Sequence, residues 1–451
     1  MATRREFLFI AAGMSIGLTL GLPVFARSGP RLMKSMAIAR VYGDGIRLVG
    51  IELHYSQPIA GGSLSPADFS VTDRTVISVF TSRSADPEER SSAGDYVIIM
   101  LSPDDKNAPL AEKITTGKTP GDAALAGKPP QGGPGKAGDI PVYDTRHRNA
   151  EATFIQRGEL LTTSGTPLPA EKAQLTTQGA KNLIVDEFKQ FEFHDPQTGR
   201  VLKYNLFIPE AARKASKQKW PLVLFMHDAG ATSDVVRTTL YQGLGAICWA
   251  SPEDQQQRPC FVLAPQFEEI IADDDSHTSA MLEVTINLIN HLCRTNPVDR
   301  SRLYTTGQSG GCMMSIAMDI KYPDFFAASL LVAGQWSPDL VKPLARQKLW
   351  IIVSQDDDKA WPGQNAIIGV LEKEGAKVAR AVWEGNWDKQ QFSDAFRKLD
   401  AEHAPVNYVT FSKGSVLPPG DSRQGASGHR NTWRIAYSIE PVREWIFRQH
   451  K

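Results

Sequence analysis

SRLYTTGQSGGCMMSIAM, Ser301 to Met318, opens as a β-branched and apolar run, breaks at glycines on both sides of one serine, and resumes with apolar residues at helical spacing. The run SRLYTTG reads as a strand. Cys312, Met313, Ile316, Ala317 and Ile320 would line one face of a helix that starts at once after it. Between them stands Gly307-Gln308-Ser309-Gly310-Gly311, a G-x-S-x-G pentapeptide in the strand–turn–helix setting of a nucleophile elbow. Small flanking residues let the chain take a strained turn, and the following helix offers its positive end to developing negative charge. Ser309 is therefore the candidate nucleophile, against the alternative of a small residue in a structural turn.

The neighbouring segments agree with this reading. WPLVLFMH and CFVLAPQ are near-continuous apolar runs, as expected for strands buried on both faces of a parallel sheet. SAMLEVTINLINHLCRT carries Met281, Val284, Leu288 and Leu292 at helical spacing, and FAASLLVAG and KLWIIVS are further strands. Alternating strands and helices predict an α/β domain over residues 185–451. Residues 31–180 differ: SMAIARVY, IRLVGIELHY, TVISVFTS and DYVIIMLS are short β runs separated by Gly, Pro, Asp and Ser, which predicts an all-β antiparallel sandwich. Within it, residues 115–139 are too rich in Gly and Pro to pack a core and read as a long mobile loop.

The first residues carry Arg4 and Arg5 before an apolar, Gly-containing run and the tripeptide Val24-Phe25-Ala26. Residues 1–26 resemble a twin-arginine export signal cleaved after Ala26, which implies a periplasmic or secreted destination; the alternative is an uncleaved anchor. No later segment is apolar enough to span a membrane. With 50 Lys+Arg against 50 Asp+Glu in 451 residues, the formal net charge is zero, so no basic field recommends nucleic acid. Four cysteines, Cys248, Cys260, Cys293 and Cys312, match no zinc spacing. Cys248 and Cys260 could close a short disulfide loop, and free buried thiols are an equal reading.

A serine hydroxyl needs an adjacent base. In the order Ser, acid, His, the base comes last. His429 in GASGHRNTW is placed in a Gly-rich loop ahead of a helix, whereas His450 is penultimate and expected to fray. The acid should follow an intervening strand, and KLWIIVS is followed by Asp356, Asp357 and Asp358; Asp357 is preferred, with Asp358 the alternative. An oxyanion hole takes two N–H donors. Gly310 supplies one, and the loop His227-Asp228-Ala229-Gly230 supplies the other from Ala229, with Asp228 the alternative. His227 itself precedes Ser309 and is expected to order that loop. Trp336 and Trp361 lie close in sequence to site strands and are candidate pocket walls, with ordinary core packing as the alternative.

KYNLFIPE, LFMHDAG, PCFVLAPQ, RLYTTGQSGG, YPDFFAASLLVAGQW, VSQDDDKAWPG and GHRNTW together resemble the predicted peptidase and carboxylesterase group of α/β-hydrolases. That group is related to poly(3-hydroxybutyrate) depolymerases and feruloyl esterases, and its members often carry an N-terminal immunoglobulin-like domain. The resemblance implies a Ser309–His429–Asp357 triad acting on a small-molecule or polymeric ester through an acyl-enzyme, without metal or nucleotide cofactor. Peptide hydrolysis by the same triad, or a degenerate polymer-binding protein, are the alternatives. Two positions depart from the family pattern. Asp228 stands where glycine is usual, and Gly310-Gly311-Cys312 replaces Met-Gly-Gly. A carboxylate at 228 would repel a developing oxyanion unless it is turned away.

Overall fold

The computed structural model describes residues 29–114, 135–143, 145–214, 217–418 and 427–451. The expected export signal and residues 115–134 of the Gly/Pro-rich segment lie outside them. In the N-terminal half, strands Leu32–Tyr42, Gly45–Ala60, Val76–Ser82 and Ala93–Leu101, joined by Ala180–Asn182, make a five-stranded sheet. Phe69–Val71, Thr153–Gln156 and Leu175–Thr176 make a three-stranded one. Alternation along Gly45–Ala60 and Ala93–Leu101 sends Ile51, Leu53, Val97 and Ile99 to one face, where they pack with Phe69, Val71 and Phe154 of the smaller sheet. This is a β-sandwich, its core filled by the period-two pattern legible in the sequence.

The C-terminal half is built on a nine-stranded sheet. Its strands, numbered along the chain, are β1 (Lys189–His194), β2 (Val201–Phe207), β3 (Trp220–Met226), β4 (Phe261–Gln266), β5 (Val298–Gln308), β6 (Ala328–Val332), β7 (Leu349–Ser354), β8 (Val378–Trp383) and β9 (Val406–Phe411). Their spatial order is β1-β2-β4-β3-β5-β6-β7-β9-β8. β2 runs antiparallel to both β1 and β4, and the remaining pairs are parallel. Every residue of β4, β7 and β9 is buried, because helices cover both faces. Tyr304, Leu330, Trp350 and Val409 pack on one face, and Leu303, Leu331, Ile351 and Tyr408 on the other.

The two halves share apolar packing, since the sandwich core and the first of those faces form one continuous cluster. Polar contacts add to it. Gly138 N–H donates to the Ile270 carbonyl at 2.8 Å, Ile270 N–H returns a bond to Asp139 at 2.8 Å, and the Tyr143 hydroxyl donates to the Glu268 carbonyl at 2.9 Å. The end of the Gly/Pro-rich segment is thus anchored on the loop after β4. The C-terminus is held as well, contrary to the fraying expected of His450: the Lys348 ammonium donates to the His450 carbonyl at 2.8 Å, and Lys451 N–H to Ser301 at 3.0 Å. All four cysteines are free thiols, Cys248 and Cys260 both buried. Among the described residues, no helix is long and apolar enough to cross a membrane.

Candidate active site

The site gathers at the carboxyl ends of the central parallel strands, where loops from neighbouring strands converge. Ser309 follows β5 directly, with φ 52° and ψ −117°, a left-handed conformation that costs a non-glycine residue about 1–3 kcal/mol. Its N–H donates to the Val332 carbonyl of β6 at 3.1 Å, and its carbonyl accepts from Met313 N–H at 2.9 Å, locking the elbow between sheet and helix. Gly307 and Gly311, at the ends of the pentapeptide, are required by space. A Cβ on Gly307 would lie 2.3 Å from the Gly311 carbonyl carbon, and one on Gly311 would lie 2.0 Å from the Met226 carbonyl oxygen. The helix Gly310–Lys321 therefore starts in contact with the end of β3.

Asp357 lies just past β7 and is almost fully buried, whereas Asp358 is exposed and Asp356 accepts Gly414 N–H at 2.6 Å. One Asp357 oxygen accepts N–H bonds from Ala360 at 2.8 Å and Lys359 at 3.2 Å, and the other meets His429 Nδ1. Burial pushes the Asp357 carboxyl up, but its hydrogen bond to His429, the imidazole's charge and those two N–H donors more than offset it and hold the group below its ordinary value.

His429 Nε2 stands 2.9 Å from Ser309 Oγ, so the imidazole links the serine to Asp357. With Nδ1–H donated to the carboxylate, Nε2 is left as the acceptor of the serine proton. Trp433, one helical turn on, packs edge-on to the imidazole at 4.9 Å and fixes its plane. Contrary to the loop expected from the sequence, His429 lies in the first turn of the helix Ser427–Ala436. Gly428 serves a close approach, not a loop: a Cβ there would lie 2.5 Å from Asp356 Cβ. The opposite side of this helix meets the sandwich, where a Cβ on Gly43 would touch Arg434 at 3.0 Å.

The loop after β3 forms the other wall. Ala229 N lies 3.6 Å from where a Gly310 Cβ would stand, so the backbone N–H groups of Ala229 and Gly310 are neighbours. Among the described residues neither has a hydrogen-bond acceptor. Asp228 caps the 3-10 turn Ala229–Ala231, its Oδ1 accepting Gly230 N–H at 2.7 Å and its Oδ2 accepting Gln308 Nε2 at 2.9 Å. Its carboxylate is thereby spent on the loop and on the elbow. His227 is buried; its Nδ1 donates to the Asp228 carbonyl at 2.8 Å and its Nε2 accepts Phe267 N–H at 3.0 Å. Burial lowers its proton affinity, which suits a neutral ring acting as a strut.

Trp336 is buried in the core and Trp361 packs half-buried against the same cluster. Gln308 could not be singled out from sequence because the G-x-S-x-G motif leaves its second position open; its signal lies only in what it touches. Among the described residues, Asp273, Asp275 and His277 are close enough to share a cation. The Asp273 carboxylate, however, accepts N–H bonds from Ala137, Asp275 and His277 at 3.0–3.1 Å and serves as a loop strut.

Residues 34–169 match the family model of the esterase Ig-like N-terminal domain. The chain matches no curated protein sequence. Among solved structures, a thermostable esterase is 22% identical with a TM-score of 0.74, covering 93% of this chain and 100% of that one. The feruloyl esterase module from Clostridium thermocellum is 11% identical (TM-score 0.37; 55% of this chain, 87% of that one). The acylaminoacyl peptidase from Pyrococcus horikoshii is 14% identical (TM-score 0.38; 69% and 52%). With the strand order and the elbow already described, the thermostable esterase match defines the architecture: an immunoglobulin-like domain followed by a domain of the α/β-hydrolase fold.

Proposed function

We propose that the chain is an exported serine hydrolase of carboxylic esters, with Ser309 as nucleophile, His429 as base and Asp357 as the triad acid. The observation that carries this reading is the 2.9 Å contact of Ser309 Oγ with His429 Nε2 while Nδ1 of the same ring engages the buried Asp357. A serine, an imidazole and a carboxylate in that sequence of contacts can move one proton along a fixed path.

In the acylation step Ser309 Oγ bonds to the ester carbon and its proton passes to His429 Nε2. The carbonyl electron pair moves onto oxygen, where the N–H groups of Gly310 and Ala229 receive it. Asp357 stays ionised and stabilises the imidazolium. Collapse breaks the bond to the alcohol oxygen, which leaves with the proton from His429. Water then attacks the acyl-enzyme with His429 again as base, releasing the acid and returning the proton to Ser309. Each hole donor is expected to contribute about 10²–10³ in kcat.

Export rests on Arg4, Arg5 and the Val24-Phe25-Ala26 site, and the substrate class on the ester-hydrolase resemblance. The test is turnover of short p-nitrophenyl acyl esters by the mature chain beside Ser309→Ala, with a fluorophosphonate label located by mass spectrometry. Turnover and labelling at Ser309, both lost in the variant, are the expected result. Turnover that survives Ser309→Ala would sink the assignment.

A further inference from the structure

Asp228 poses an electrostatic problem: it places a carboxylate one residue from an expected oxyanion donor, where glycine would carry no charge. The structure disposes of that charge in a specific way. Oδ1 is bound by Gly230 N–H at 2.7 Å and Oδ2 by the side-chain amide of Gln308 at 2.9 Å. Only the amide nitrogen can donate to a carboxylate, so the chemistry fixes which way the Gln308 amide points. Gln308 is buried at 1% exposure and immediately precedes Ser309. Its nitrogen also faces Gln242 Oε1 at 3.3 Å, while Gln308 Oε1 and Gln242 Nε2 are buried without partners among the described residues. A side chain that leaves its own oxygen unsatisfied in order to serve Asp228 is engaged at a cost, and a structural core amide would more often satisfy both ends.

We propose that Gln308 is a positioning residue that clamps the Asp228 carboxylate away from the oxyanion hole and ties the elbow to the loop bearing Ala229. The inference rests on the esterase reading above, because it concerns charge developing at that hole. Gln308 touches no reacting atom. It acts through Asp228, whose Oδ1 caps the 3-10 turn while its Oδ2 takes the Gln308 amide, so that the turn holds Ala229 N–H beside Gly310. Freed from the amide, Oδ2 can rotate toward the hole, where its negative charge opposes the transition state and barely affects neutral substrate in the ground state.

The test is a double-mutant cycle with Gln308→Met and Asp228→Asn, read as kcat and KM on a p-nitrophenyl ester, with a separate sample of the parent enzyme labelled by a fluorophosphonate. Gln308→Met keeps length and removes the donor. It is expected to lower kcat by about tenfold or more, the scale of a hydrogen bond to a charged group, with KM changed less than about threefold. In the Asp228→Asn background the same substitution is expected to cost at least about fivefold less, since no charge remains to be restrained. An equal loss in both backgrounds, a loss confined to KM, or no loss at all overturns the clamp. If Gln308→Met does not fold, Gln308→Leu, also uncharged and without the donor, runs the same cycle. Parent enzyme whose Ser309 is not labelled would bring down the esterase reading itself, whereas labelled enzyme with an additive cycle would bring down the clamp alone.

Discussion

Replacing Asp319 by asparagine should stabilise the protein, and by an amount that depends on pH. Asp319 lies in the helix Gly310–Lys321 that starts at the elbow, is 1% exposed, and neither carboxylate oxygen has a hydrogen-bond partner in ordinary geometry among the described residues. Burial pushes its carboxyl from 3.8 up to about 7, and the nearby Ser329 hydroxyl offsets this only in part. The folded chain thus holds the proton more tightly than the unfolded chain. The associated stability is complete below pH 3.8 and is lost as pH rises toward 7. A gap of about three pH units corresponds to about 4 kcal/mol, an upper bound because local relaxation and water entry soften buried charges. Asp319→Asn keeps the shape of the neutral acid and removes the titration. Urea unfolding followed by tryptophan fluorescence should show the variant more stable by about 2–4 kcal/mol at pH 8, shrinking to less than about half of that at pH 5. Equal effects at the two pH values, or a less stable variant at pH 8, would refute the argument that an uncompensated buried charge is present.

Two further outcomes follow from the geometry. Asp357→Asn should lower kcat about 10³–10⁴-fold without unfolding the chain, because the amide cannot hold the His429 tautomer, whereas Asp358→Asn on the exposed neighbour should stay within about threefold; ester turnover decides between them. Gly311→Ala should fail to give folded protein or lose about 3 kcal/mol or more, since its Cβ would overlap the Met226 carbonyl, as checked by soluble yield and melting temperature.

Local patterns made much of this protein legible in advance. Near-continuous apolar runs marked β3, β4 and β7, because a strand covered on both faces has no solvent side to advertise. Gly307 and Gly311 pointed to the elbow because backbone approaches of 2.3 and 2.0 Å to a would-be Cβ leave no other residue type there. Chain order, the Gly-rich setting of His429 and the strand end before the aspartates pointed to that histidine and to the triplet, with Asp357 preferred and Asp358 the alternative. Those patterns do not fix which of the three reaches the imidazole, since a turn presents adjacent side chains in different directions, and only the tertiary fold sends one to an imidazole, one to Gly414 N–H and one to solvent. The same limit hid the helical placement of His429, whose glycine marks contact with Asp356 and not a loop. It also hid the fate of Asp228: sequence supplies a charge beside the oxyanion loop, but its direction depends on Gln308, 80 positions away along the chain and within hydrogen-bonding distance only because β3 and β5 lie side by side.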